Sequence, residues 1–89
     1  MISEIDKKTI RDISEKYHAR RVLLFGSALD SEEESHDIDI GVEGIPAKDF
    51  FRYYGELMLT LSKPIDIIDL SGTSKFIDMI KKEGIRLYG

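Results

Sequence analysis

The sequence contains no cysteine and no long apolar run, and these two absences exclude several classes of protein. Without cysteine the chain forms neither disulfides nor zinc–thiolate sites, which fits a cytoplasmic protein. No segment approaches the roughly 20 apolar residues that cross a bilayer, and the first residues lack the basic start and apolar stretch of a signal peptide. We therefore expect a cytoplasmic protein with no membrane partner.

Positive charge is also scarce. The 89 residues include 13 Lys and Arg against 17 Asp and Glu, a formal net charge of -4. Because no positive excess is available to neutralise a phosphate backbone, we expect no general nucleic-acid binding. Hydrophobic residues make up 42% of the chain and charged residues 34%, which is typical of a globular protein. The length fits one domain, residues 1–89.

Apolar periodicity predicts helices that alternate with short strands. The predicted elements are a helix over about 3–18, a strand over 21–25, a polar loop over 30–35, a strand over 36–42, a helix whose apolar stripe runs from Phe50 to Leu61, a strand over 65–70, a last helix opened by 71–73, and a strand over 85–88. That stripe comprises Phe50, Phe51, Tyr54, Leu57, Met58 and Leu61. The alternation predicts an α/β (α+β) fold, a small sheet covered by helices.

Acidic residues recur within two of the predicted strands. Asp37 and Asp39 are two residues apart, so on a strand they point to the same face. Two such carboxylates repel each other unless a cation lies between them, and hard oxygen ligands suit Mg²⁺. A third carboxylate on another strand would complete a two-metal site. Asp66 and Asp69 are the two candidates, and they point to opposite faces of their strand.

Gly26 and Ser27 directly follow the first predicted strand. Glycine permits close approach of a ligand to the backbone, and a serine hydroxyl can bond a phosphate oxygen. If a helix starts there, its free amide groups add a seat for phosphate. This pair is a candidate nucleotide-binding turn, although alone it would be an ordinary turn.

These features together resemble a known family. Leu24-Phe25-Gly26-Ser27, nine further residues and then Asp37-Ile38-Asp39 look like the signature of the DNA polymerase β-type nucleotidyltransferases. The size, the strand from Pro64 to Leu70 and the ending from Ile80 to Tyr88 are similar to the smallest branch, the minimal nucleotidyltransferases. The resemblance implies a mixed sheet flanked by helices.

The resemblance also implies roles for individual residues. Asp37, Asp39 and Asp66 would be the catalytic carboxylates that hold two Mg²⁺ ions, and Asp66 would hold a metal or accept the proton of the nucleophile. Gly26 and Ser27 would bind the β- and γ-phosphates of a nucleoside triphosphate. The implied reaction moves a nucleoside monophosphate, most often AMP from ATP, to a hydroxyl group.

Two functions remain open. Members of this branch are typically paired with a small helical HEPN-type toxin, so the resemblance implies an antitoxin that transfers AMP to a tyrosine of its partner. However, Ala28 and Leu29 follow Gly26-Ser27 where the family commonly has a basic residue. The alternative is therefore a binding module with weak catalysis that neutralises its partner by direct contact.

Overall fold

A computed structural model describes residues 2–26 and 37–89 of the chain. The elements in chain order are α1 (Glu4–Lys16), β1 (Arg21–Phe25), β2 (Ile38–Glu43), α2 (Ala47–Thr60), β3 (Ile65–Asp69), α3 (Lys75–Glu83) and β4 (Ile85–Tyr88). Each predicted element within these ranges is present, with shifted ends. Within the same ranges, no helix has the length and apolarity needed to span a membrane.

The four strands form one mixed sheet in the order β3-β2-β1-β4. β1 lies antiparallel to both β2 and β4, whereas β2 and β3 are parallel. Parallel neighbours require a crossover connection, and α2 provides it between β2 and β3. The expected fold class, a small mixed sheet flanked by helices, is confirmed.

One face of the sheet is covered by α1 and α2. Val22, Leu24, Ile38 and Ile40 point into this layer and are almost fully buried. Between the two helices, the hydroxyl groups of Ser14 and Tyr53 share a buried hydrogen bond of 2.8 Å. Burial raises the pKa of Tyr53 to about 12, so the phenol stays protonated and both buried hydroxyls remain neutral.

The predicted apolar stripe of α2 is partly wrong. Tyr53 and Leu57 are the fully buried residues of this helix, whereas Phe51 and Met58 are 86% and 62% exposed. The apolar residues of the helix are therefore spread over a wider arc than the one that packs. Apolar spacing alone therefore did not identify the arc that packs.

The other face of the sheet carries α3. A small core of Leu23, Leu70 and Ile80 attaches this helix to the sheet. Gly41 lies beneath Leu70, where an added Cβ would come within 2.9 Å of the leucine side chain. Glycine at this position allows Leu70 to lie directly on β2.

The start of α3 differs from the prediction. The helix begins at Lys75, and the hydroxyl of Ser74 caps it by accepting a hydrogen bond of 3.0 Å from the Ile77 amide. The preceding Ser71 belongs to a turn, because its amide donates to the Asp69 carboxylate at 2.9 Å. Several serine and threonine residues in this segment can cap a helix. Because Asp69 holds Ser71 in a turn, the helix begins later and Ser74 is its cap.

Candidate functional site

Asp39 and Asp66 lie side by side on the face of the sheet that carries α3. They are register partners on the parallel strands β2 and β3. The side chains of directly paired residues on adjacent strands project to the same face, as those of Ile40 and Ile67 do one position further along in the core on the other face. The register therefore brings together two carboxylates that are 27 positions apart in sequence.

Asp37 lies immediately before β2, in a bend, and its side chain is exposed. Strand β2 begins at Ile38, so Asp37, which the prediction included in the strand, lies just outside it. Burial, followed by the negative charges of Asp66 and Asp37, raises the pKa of Asp39. The charges of Asp37 and Asp66 thus both act on Asp39, which is the least exposed of the three.

Gly26 places the chain directly against Asp39. Its φ of 75° lies in the left-handed region, and a Cβ at this position would collide with the Asp39 carboxylate. Phe25, one residue earlier, is the register partner of Asp39 on β1. Only glycine allows the end of β1 to turn this close to the carboxylate. Ser27, the second residue predicted to bind phosphate, lies outside the described residues, as does the predicted loop over 30–35.

Asp69 lies away from this group. It is paired with Val42 near the opposite end of β2, and its side chain accepts the hydrogen bond from Ser71 described above. By strand alternation it projects to the opposite face from Asp66. Of the two candidates for the third carboxylate, the register therefore places Asp66 beside Asp39 and Asp69 elsewhere.

The side chains fit a divalent cation in charge and chemistry. Asp39 and Asp66 supply oxygen atoms, the donors that Mg²⁺ prefers, and their mutual repulsion falls when a cation lies between them. In residues 2–26 and 37–89, however, no three acidic or histidine side chains gather closely enough to form a complete metal cage. Mg²⁺ usually completes its coordination with water and substrate phosphates, so a small protein ligand set is sufficient.

The structure also places an aromatic pair next to this group. Phe76, in the first turn of α3, packs edge to face on Phe25 with 5.8 Å between ring centroids. Phe76 is 48% exposed, whereas Ile77 on the same helix is half-buried and Ile80 is fully buried. The contact depends on how α3 lies across the sheet, which the spacing of apolar residues does not specify.

A concave surface of about 400 Å³ lies elsewhere, at the junction of α2 and β3. It is lined by Met58, Leu61, Ser62, Lys63, Pro64 and Ile65. None of the predicted site residues contributes to this lining. Ile65 projects into the layer of α1 and α2, so the cavity and the carboxylates lie on opposite faces of the sheet.

The sequence of residues 8–89 matches the family model of the polymerase beta nucleotidyltransferases. The chain belongs to this nucleotidyltransferase family. The match covers both aspartate-bearing strands and the turn at Gly26. No curated protein sequence matches the chain.

Several solved structures are similar in fold to this nucleotidyltransferase domain. A chain in the crystal structure of the toxin–antitoxin MntA–HepT is 19% identical, with a TM-score of 0.72 over 98% of this chain and 73% of that one. A toxin–antitoxin structure with AMP-PNP gives 20% identity and a TM-score of 0.73, over 98% and 74% of the two chains. These values place the nucleotidyltransferase in the same fold as the MNT antitoxins.

A third similar chain belongs to the structure of the tri-AMPylated Shewanella oneidensis HEPN toxin in complex with MNT antitoxin. The identity is 21% and the TM-score 0.73, over 97% of this chain and 71% of that chain. At such identities the likeness establishes a shared fold.

Proposed function

We propose that this chain is an antitoxin that transfers AMP from ATP to a tyrosine hydroxyl of a HEPN-type partner. Asp39 and Asp66, with Asp37 beside them, would form the catalytic carboxylate group. Gly26, together with Ser27, would hold the β- and γ-phosphates. Family membership supports nucleotidyl transfer, and the AMPylated toxin in the similar Shewanella oneidensis complex supports the choice of AMP and of the acceptor.

The observation that carries the proposal is the register of β2 and β3, which aligns Asp39 with Asp66 directly beside the turn at Gly26. A phosphate bound along that turn would lie next to two carboxylates. Phosphates and carboxylates repel each other, so this arrangement is useful only when a divalent cation joins them. The pair therefore fits a metal-dependent reaction of a phosphate ester.

In the proposed reaction, the tyrosine oxygen attacks the α-phosphorus of ATP and forms a new oxygen–phosphorus bond. The bond between the α-phosphorus and the oxygen that bridges to the β-phosphate breaks, and pyrophosphate leaves with those electrons. The tyrosine proton passes to a carboxylate. Asp66 is the better candidate for this acceptor, since it is more exposed than Asp39 and hence more accessible. Bound Mg²⁺ would neutralise the charge that develops on the phosphate oxygens.

The acceptor has to be supplied by another molecule. The described part of the chain is a four-stranded sheet with three helices, and the carboxylates lie at the rim of the sheet with Asp37 and Asp66 exposed. A surface of this kind can hold a nucleotide against a protein partner. The exposure of the two flanking carboxylates thus favours an acceptor carried on a protein surface.

The test is to incubate the chain with a HEPN-type protein from the same organism, Mg²⁺ and ATP labelled in the α-phosphate. We expect the label on a tyrosine of the partner with wild type and with Asp69→Asn. This control variant alters an aspartate of β3 that lies away from the site. Asp39→Asn should reduce the transfer by about two orders of magnitude or more, because it removes the central carboxylate.

The alternative function, neutralisation by contact, predicts a different pattern. The partner's toxic activity would then be suppressed equally by wild type and by Asp39→Asn, with no label transferred. This alternative rests on Ala28 and Leu29, which occupy positions where the family commonly has a basic residue. If Asp39→Asn lost both neutralisation and AMP transfer, neutralisation by contact alone would be excluded.

A further inference from the structure

The ring of Phe76 has a partner on one side and solvent on another. It packs on Phe25 with an angle of 82° between the ring planes, and 48% of the residue remains exposed. Helix α3 is attached to the sheet one turn later, by Ile80 against Leu23 and Leu70. Phe76 therefore holds an oriented aromatic surface open at the start of the helix.

This surface borders the carboxylates. Phe25 is the register partner of Asp39, so the two side chains project from neighbouring strands on the same face of the sheet. The next residue, Gly26, is the one whose Cβ would collide with Asp39. The register thus orders Asp66, Asp39 and Phe25 across this face, and the ring of Phe76 lies against that of Phe25.

A nucleotide has a matching arrangement, with charged groups at one end and an aromatic base at the other. Its phosphates require cations and hydrogen-bond donors, while its base, one ribose away, presents a flat aromatic face. Aromatic side chains stack on any nucleobase, because every base presents a π-face. Phe25 buttresses the ring of Phe76, which lowers the entropy lost when a base settles on it.

We propose that Phe76, held in place by Phe25, is the stacking surface for the base of the nucleoside triphosphate. This inference rests on the proposed function, since it assumes that the phosphates lie at Gly26 and Asp39. It adds a binding residue outside the Gly-Ser and aspartate motifs. Stacking also implies little discrimination among bases, with the larger purines held more tightly than pyrimidines.

The experiment compares two ligands by titration calorimetry in the presence of Mg²⁺: ATP, and inorganic tripolyphosphate, which lacks base and ribose. Phe76→Ala should weaken ATP binding by about fivefold or more and leave tripolyphosphate binding unchanged. Phe76→Trp, which keeps an aromatic face, should bind ATP at least as tightly as wild type. Phe51→Ala removes a phenylalanine that is 86% exposed on α2, and it should change the affinity for neither ligand.

Three results would overturn the inference. Phe76→Ala that binds ATP like wild type would show that the ring does not contact the base. Equal losses for ATP and tripolyphosphate would assign to Phe76 a role in the shape of the phosphate site instead. If wild type bound neither ligand, the proposed function would fail together with this inference, whereas the first two results leave the proposed function standing.

Discussion

Asp39 is the residue on which the account of the site depends. Its side chain is partly buried, it is paired with Asp66, and its charge is opposed by both Asp66 and Asp37, which raises its pKa. For an acid, a raised pKa in the folded protein means that ionisation at neutral pH weakens the fold. A metal-binding role explains why a fold would keep such a group, because a bound cation reverses the penalty.

Gly26 supports the same account through the backbone. Gly26→Ala should lower the free energy of unfolding by about 1–2 kcal/mol, because its φ of 75° is costly for any residue with a Cβ. It should also displace the Asp39 carboxylate and weaken the binding of Mg²⁺ and ATP. Chemical denaturation measures the first effect and calorimetry the second.

Gly44→Ala is the matched control for this substitution. Gly44 also has a positive φ, of 99°, but its Cβ would meet Arg20, beyond the opposite end of β2 from Asp39. We expect a similar loss of stability without a loss of nucleotide affinity. Equal losses of affinity in the two variants would mean that Gly26 acts only through general stability.

At the scale of elements, an ion-pair cluster fixes the end of β2 opposite the carboxylates. The side chain of Glu43 accepts a hydrogen bond of 2.8 Å from Arg21 on β1, and Arg20 and Lys81 lie within 3.6 and 3.8 Å of it. The hydrogen bond from Arg21 is the main reason that the pKa of Glu43 is lowered. The cluster joins β1, β2 and α3 at one corner of the fold.

Glu43→Gln should therefore lower the free energy of unfolding at neutral pH by about 1 kcal/mol. Because the folded-state pKa is lowered, the stabilisation is present above the ordinary pKa of 4.5 and is lost as the pH falls through the folded-state value. The difference between variant and wild type should narrow in that acidic range. Glu4→Gln, at a side chain that is 83% exposed, should change stability little at any pH; a pH-independent difference for Glu43→Gln would contradict the assignment.

The elements also show how far the sequence alone could lead. Strand alternation puts Ile38 and Ile40 on the face opposite Asp39, and both are buried, because each side chain on a strand has only two possible faces. A helix offers a continuous range of faces, and the prediction wrongly included Phe51 and Met58 in the packed stripe of α2. The start of α3 was missed because the turn at Ser71 depends on the side chain of Asp69.

At the scale of the whole molecule, the order of the strands creates the candidate site. The motif spacing indicated Asp37, Asp39 and Gly26 as a local group, but Asp66 joins them only because β3 lies parallel to β2 in one particular register. Strand order and register depend on tertiary packing. Hydrophobic periodicity therefore identified the strand that carries Asp66 but could not show that Asp66 lies beside Asp39. The exposed ring of Phe76 has the same origin, in the position of α3 across the sheet.

The central claim is that the carboxylates beside Gly26 hold a nucleotide through a divalent cation. The most direct measurement is titration calorimetry of ATP with Mg²⁺ into wild type, Asp39→Asn and Asp69→Asn. We predict binding by wild type and by Asp69→Asn that disappears when Mg²⁺ is chelated, and no binding by folded Asp39→Asn. Equal binding by all three proteins, or none by wild type, would contradict the claim.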